Sequence, residues 1–407
     1  MCRREGEMHM ARNSDKPDNS TPGVLIGRQF PDAQPVRVTV KDGLIARVES
    51  VQTLPERGDT QRWITPGLFD LQVNGFAGEN FLDPAVTPED VSHIARAVLR
   101  SGTTRFLPTV ITAGIAAMCQ QLSVIADTMA ADPLVAAMCP GVHIEGPFIN
   151  PEDGPRGAHP REHVREPSIA DFERLHRAAG GRVALLTLAA DQPRAVDLIR
   201  HARERGVLVA VGHHRAGPEA LEAAIDAGAR LCTHLGNACD AMLPRTDNYV
   251  WQQLGEDRLW ASFIADGHHL PPFTLRCMLR AKTVARSVLI TDAMSAAGMP
   301  PGQYSLGETE VERTPSGRVV LPGTPYQAGS SADMPLVVRN AVAYGGVSFE
   351  EAIQMASLQP AALLSCGSWS CTPGAEADLV EFDWNPDQQT LVPRRIAFRS
   401  FEVILST

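Results

Sequence analysis

The chain has 407 residues, enough for one large domain with a minor one beside it and too many for a small binding module. A formal net charge of −10, with 37 basic against 47 acidic residues, argues against a nucleic-acid binder. Eight cysteines scattered at 2, 119, 139, 232, 239, 277, 366 and 371 lack paired spacing, and no apolar run approaches a membrane span. Together these features predict reduced thiols in a cytoplasmic protein with no membrane partner.

In chain order, the polar stretch 1–22 reads as a disordered leader. The segment "VRVTVKDGLIARVES" (36–50) is two alternating runs joined by Asp42-Gly43, a hairpin signal. Eight short apolar runs then follow, at 67–75, 103–111, 141–148, 182–191, 206–214, 230–238, 259–269 and 286–295. Amphipathic stretches separate most of them, such as "TPEDVSHIARAVLRSG", which Thr87 opens with Asp90 three residues on as a capping box. Near-continuous apolar strands alternating with helices imply a parallel sheet covered on both faces, and eight such units predict an α/β fold, a closed (β/α)8 TIM-like barrel. An open doubly wound sheet is the competing arrangement, but "NGFAGENF" after the first strand has no GxGxxG turn.

The Pro/Gly-rich stretch 300–330 follows the eighth strand, where a barrel carries an active-site loop. Residues 375–407 read again as strands, so the two ends are expected to combine as a small β-sandwich. The expected division is a leader at 1–22, the sandwich from 23–64 and 366–407, and the barrel at 65–365.

Active sites of such barrels lie at the C-terminal ends of the strands. There the first strand offers Gln72 and Asn74, the second only Thr109, the third Glu145 and the fourth Asp191. The fifth offers His213 and His214, the sixth His234 and Asn237, the seventh Asp266, His268 and His269, and the eighth Asp292. Mixed imidazole and carboxylate ligands suit a divalent transition metal, zinc first, with Fe2+, Co2+ and Mn2+ sharing the preference. The assignment is Glu145, His213 and His234 as ligands of one ion, with Asp292 as general acid/base in metal-assisted hydrolysis. Any one of these histidines alone would be read as a structural residue, and any one carboxylate as an arginine partner or helix cap. Their joint placement at one end of successive strands is what favours a metal centre.

Only three lysines occur, Lys16, Lys41 and Lys282, so a second metal bridged by a carbamylated lysine on the fourth strand is excluded. The amides Gln72 and Asn74 stand one strand period apart at the end of the first strand, and amides are weak metal ligands. They are expected to hydrogen-bond around the metal ligands instead.

In order, "PGLFDLQVNG", "HIEGPF", "GAHP", "GHH", "THLGNA", "IADGHHL", "LITDAMSAAG" and "MASLQPA" resemble the amidohydrolase superfamily and, within it, the N-acetylglucosamine-6-phosphate deacetylase family, over about residues 64–365. The resemblance implies hydrolysis of the N-acetyl amide of a phosphorylated amino sugar, N-acetylglucosamine 6-phosphate giving glucosamine 6-phosphate and acetate. It implies the same metal ligands and catalytic Asp292, with His159 at the substrate acetamide and Asn237, Ala238 and His269 at the phosphate. It also implies a homodimer in which Arg245 reaches the neighbouring active site. Gly236 stands where the family carries an aromatic, "TLAAD" ends in Ala190 and Asp191, and Arg156, His214 and His268 have no assigned work. Alternatives are another N-acyl amino sugar or a cyclic amide as substrate, the latter usually accompanied by His-x-His on the first strand, and a non-catalytic barrel scaffold.

Overall fold

The computed structural model describes residues 23–54, 58–324 and 326–405; the expected leader at 1–22 lies outside them. The eight apolar runs form one parallel eight-stranded sheet in sequence order: Leu68–Val73, Thr103–Ile111, Val142–Glu145, Val183–Leu188, Leu208–Val211, Leu231–Cys232, Trp260–Ile264 and Ser287–Ile290. A parallel bridge between Val73 and Ala293 joins the first strand to the segment after the eighth. Asp70 reinforces that seam, accepting from Thr291 Oγ1 at 2.5 Å and from Thr291 N at 3.2 Å.

A helix follows every strand, from Pro88–Arg100 after the first to Met334–Asn340 after the eighth. The first shows how its sequence sets its limits: Thr87 Oγ1 accepts from Asp90 N, the Asp90 carboxylate accepts from Thr87 N, and Pro88 occupies a position needing no donor. Val91, Ile94, Ala95, Val98 and Leu99 make its buried stripe at helical spacing. Seven of the eight strands contribute to a cluster that includes Phe69, Leu107, Leu185, Leu231, Ile264 and Val288 and fills the barrel. Each of these large side chains contributes roughly 1.5–3 kcal/mol by leaving water.

The two chain ends combine in a seven-stranded sheet, ordered Phe401–Ile404, Thr390–Phe398, Asp378–Asn385, Gln61–Pro66, Gly23–Gln29, Gln34–Lys41 and Leu44–Ser50. The Asp42-Gly43 hairpin is as the sequence predicts, with φ of 52° and 77° matching a two-residue primed turn. Trp63 and Trp384 flank Phe349 at ring distances of 5.1 and 5.3 Å, which docks this sheet on the barrel's last helices. The stretch after the eighth strand folds as a three-stranded flap, Gly302–Leu306, Thr309–Arg313 and Val319–Val320, leaning over the barrel mouth.

Candidate metal centre and active site

A cavity of about 460 Å³ opens at the C-terminal ends of the strands. Of the residues singled out in the sequence, Asn74, Glu145, His159, His213, His234, Asn237, Ala238, His269 and Asp292 line it. Gln72 lies buried beside it, and Arg245 is exposed and away from it. Glu145 ends its strand, whereas His213, His234 and Asp292 lie just past theirs with φ of 54°, 32° and 51°. Positive φ is strained for such residues and is held here by the surrounding packing; it turns each side chain out of the sheet and over the mouth.

The three acceptor-rich groups converge. His213 Nδ1 lies 2.8 Å from the carbonyl oxygen of Pro155, which can only accept, so Nδ1 carries the proton and the neutral ring turns its Nε2 lone pair inward. That Nε2 is 3.2 Å from both Glu145 Oε1 and His234 Nε2, and His234 Nε2 is 2.9 Å from the same carboxylate oxygen. Acceptors facing one another repel unless a proton or a cation lies between them, and one divalent cation satisfies all three at once. The ligand atoms of Glu145, His213 and His234, all buried, lie within 4.8 Å of one another. The residues therefore fit the metal that their chemistry implies.

Burial pushes the Glu145 carboxyl up, but its contacts with the His213 and His234 imidazoles outweigh it and hold the group well below the usual range, as an anion. Asp292 goes the other way: burial, then the charge of Glu145, raise it to about 6. Two carboxyls of one pocket are thus driven apart, the pattern of a ligand beside an acid/base. Gln72 Nε2 donates to both Glu145 oxygens at 3.1 Å and to Asp292 Oδ1 at 2.9 Å, and Asn74 Nδ2 donates to Asp292 Oδ1 at 2.7 Å. Both amides therefore present N–H groups, not lone pairs, to the space between the carboxylates.

His159 stands over this group, its Nε2 3.9 Å from Glu145 Oε2, while burial and then His213 depress its pKa to about 3 and keep it neutral. Its Nδ1 is 2.7 Å from Thr112 Oγ1. Thr112 is a residue that strand-end reasoning missed, because it lies one position beyond the second strand; Thr109, read there instead, accepts from Val73 N inside the sheet. His269 donates from Nδ1 to Asp266 Oδ2 at 2.8 Å, which fixes the ring at the cavity wall.

The unassigned residues find work in loop architecture. His214 is buried, its Nδ1 accepting from Ala216 N at 3.0 Å. Asp191 accepts from Asn150 Nδ2 at 2.6 Å and Arg215 N at 3.2 Å. His268 Nε2 reaches Ser316 O at 3.1 Å and ties the flap to the barrel. Arg156 lines the cavity and braces its own loop, donating to His159 O at 2.7 Å. A Cβ on Gly236, whose φ is 93°, would meet Met278 Cε at 2.8 Å and Leu270 Cδ2 at 3.1 Å, so those side chains fill the space and the glycine does not widen the cavity. Lys282 is far from the chemistry, its Nζ donating to Gln253 O and Glu256 O at 2.7 and 2.6 Å. Sequence reasoning also missed Tyr326 and Gln327, which the flap brings to the cavity wall.

A (β/α)8 barrel that gathers one carboxylate and two imidazoles for a cation, and keeps a second carboxylate free of them, defines the metal-dependent amide hydrolases. The chain belongs to the amidohydrolase family, whose model matches residues 63–403. It is 35% identical over 350 residues to the N-acetylgalactosamine-6-phosphate deacetylase of Escherichia coli O157:H7, covering 85% of this chain and 90% of that one. To the human N-acetylglucosamine-6-phosphate deacetylase it is 36% identical over 338 residues, covering 79% and 80%. The crystal structure of N-acetyl-D-glucosamine-6-phosphate deacetylase from Mycobacterium smegmatis superposes with a TM-score of 0.80 at 29% identity, covering 91% of this chain and 96% of that one.

Proposed function

We propose that the protein deacetylates N-acetylglucosamine 6-phosphate, giving glucosamine 6-phosphate and acetate. The observation that carries this reading is the pairing of the Glu145–His213–His234 cluster with an unliganded Asp292 in one cavity, on a chain similar over most of its length to deacetylases of 6-phosphorylated N-acetylhexosamines. Glu145, His213 and His234 would hold one divalent cation, zinc by donor type. When bound, such an ion supplies Lewis acidity, polarising a carbonyl and acidifying water at neutral pH. The inward N–H groups of Gln72 and Asn74 support a single ion, since a second would meet donors where it needs lone pairs.

Asp292 takes a proton from the attacking water as the water oxygen bonds to the acetyl carbon. When the C–N bond breaks, the same proton passes to the departing amine. Neutral His159, with Thr112 donating to its Nδ1, donates from Nε2 to the carbonyl oxygen as negative charge grows there. The amide nitrogen of Asn237, the turn at Ala238 and the ring of His269 take the sugar phosphate. Arg245 is exposed on the 241–247 segment beside Met242, which is 88% exposed, an arrangement that supports reach into a neighbouring subunit of a homodimer. The unpaired state of the described cysteines supports a cytoplasmic setting; no described helix is long and apolar enough to cross a membrane.

The Escherichia coli relative favours a second reading, in which the galacto epimer is the substrate. Metal analysis followed by acetate release from N-acetylglucosamine and N-acetylgalactosamine, each with and without the 6-phosphate, tests both. Release from the phosphorylated gluco sugar with one ion per chain is expected. Turnover of the galacto sugar alone replaces the substrate, and absence of both metal and acetate sinks the enzymatic reading.

A further inference from the structure

Resting on the deacetylase reading, we infer that Asn74 is a substrate-contacting residue whose Oδ1 accepts the N–H of the scissile amide. Asn74 is 2% exposed and lines the cavity. Its Nδ2 donates to Asp292 Oδ1, an oxygen that also accepts from Gln72 Nε2, so the side chain cannot flip without setting its carbonyl against the carboxylate. The orientation is fixed, and Oδ1 points away from Asp292. That oxygen is buried and has no hydrogen-bond partner among the described residues. A buried acceptor held in this way requires a donor.

An N-acetyl group has one N–H. Its carbonyl end is directed to the Glu145–His213–His234 cluster and His159, and its nitrogen must come to Asp292 to be protonated on departure. One planar amide that grips Asp292 through Nδ2 and the substrate nitrogen through Oδ1 brings donor and leaving group together. The contact also strengthens along the reaction: the amide N–H becomes the more acidic N–H of a protonated amine, so the acceptor favours the transition state over the bound substrate. An Asn74 that merely steadied Asp292 would act on the amide only through proton delivery to the leaving group, an effect that losing the other donor to the same Asp292 oxygen, Gln72 Nε2, also has.

The two roles separate on a matched pair of substrates, N-acetylglucosamine 6-phosphate and 2-O-acetylglucose 6-phosphate, in which an ester oxygen replaces the N–H. Asn74→Ala and the milder Asn74→Ser are purified with the wild type and assayed for bound metal and for kcat/KM on both. Gln72→Leu, which also removes a donor to Asp292 Oδ1, is the control for weakened proton delivery; the Asn74 variants are expected to lose at least about tenfold more on the amide than on the ester, a bias the control does not reach, with metal content retained. Equal losses on amide and ester in the milder variant, or an amide bias no larger than that of Gln72→Leu, overturn the inference and leave Asn74 as a positioning residue for Asp292. Wild-type protein that releases acetate from neither sugar overturns the deacetylase reading itself and this inference with it.

Discussion

Thr112 and His159 show how much rests on one proton. His159 can donate from Nε2 only if its Nδ1 accepts, and the hydroxyl 2.7 Å away is the group that can donate to it. Thr112→Val keeps the shape and removes that donor; kcat is expected to fall about 10- to 100-fold with metal content unchanged, measured by steady-state kinetics and metal analysis. Asp292→Asn is expected to retain the metal and lose at least about 10²-fold in kcat, because the amide cannot shuttle the proton. Near-normal turnover in that variant removes Asp292 from the role. Asp70 carries a different consequence. Burial, opposed by hydrogen bonds from Thr291 and Gln72, raises its carboxyl from 3.8 to about 7. The folded protein thus holds a proton that the unfolded chain gives up between these values, so the stabilisation is complete at the acid end of that window and is lost as pH rises through 7. A shift of that size corresponds to on the order of 4 kcal/mol. Urea midpoints should fall as pH rises from about 5 to about 8, and Asp70→Asn should flatten the profile.

Among elements, the eight strands were legible because buried parallel strands are apolar runs bounded by turns, and Thr103–Ile111 has the limits its sequence predicts. The run at 230–238 is instead only Leu231–Cys232 in the ladder, because His234 adopts a positive φ and leaves the sheet. Periodicity carries no record of that departure. Glu145, His213, His234 and Asp292 were readable as strand-end polar groups, whereas the partners that aim them come from distant loops: Pro155 on His213, Thr112 on His159. The strut at Arg215 is equally non-local. Its guanidinium pairs with Asp240, Nε lying 2.8 and 2.9 Å from the two carboxylate oxygens, and also donates to Asp153 O at 3.0 Å; Asp240 in turn accepts from Tyr249 Oη at 3.0 Å. This strut braces the 237–248 loop, which carries Asn237, Ala238 and Arg245. A half-exposed pair contributes about 0.2–1 kcal/mol, so Arg215→Ala should raise KM for the phosphorylated sugar up to about fivefold and leave kcat nearly unchanged. A loss confined to kcat would detach the strut from substrate binding.

At the scale of the whole molecule, Arg245 does not line the cavity of its own chain, and a partner would be needed to make use of it. Two variants expected to be inactive test this directly. If the subunits pair as proposed, Arg245→Ala and Asp292→Asn, each expected to be inactive alone, should regain activity when unfolded and refolded together, because the hybrid would hold one site with an intact Asp292 and a neighbour's Arg245. Absence of recovery, with hybrids confirmed by native mass spectrometry, would confine the phosphate site to one chain.

The terminal sheet sets the order in which the molecule can be made. Gln61–Pro66 lies between Gly23–Gln29 and Asp378–Asn385, so its second neighbour comes from the opposite end of the sequence. During synthesis every strand of the barrel leaves the ribosome before that neighbour exists. Until then Trp63 lacks the strand that pairs with it through Phe382, and the nascent chain carries an open β-edge beside a nearly finished barrel. The interval between translation of the eighth barrel strand and of Asp378–Asn385 is therefore when this chain is most exposed to chaperones and to its own copies, and a stop codon in that interval would leave the edge open permanently.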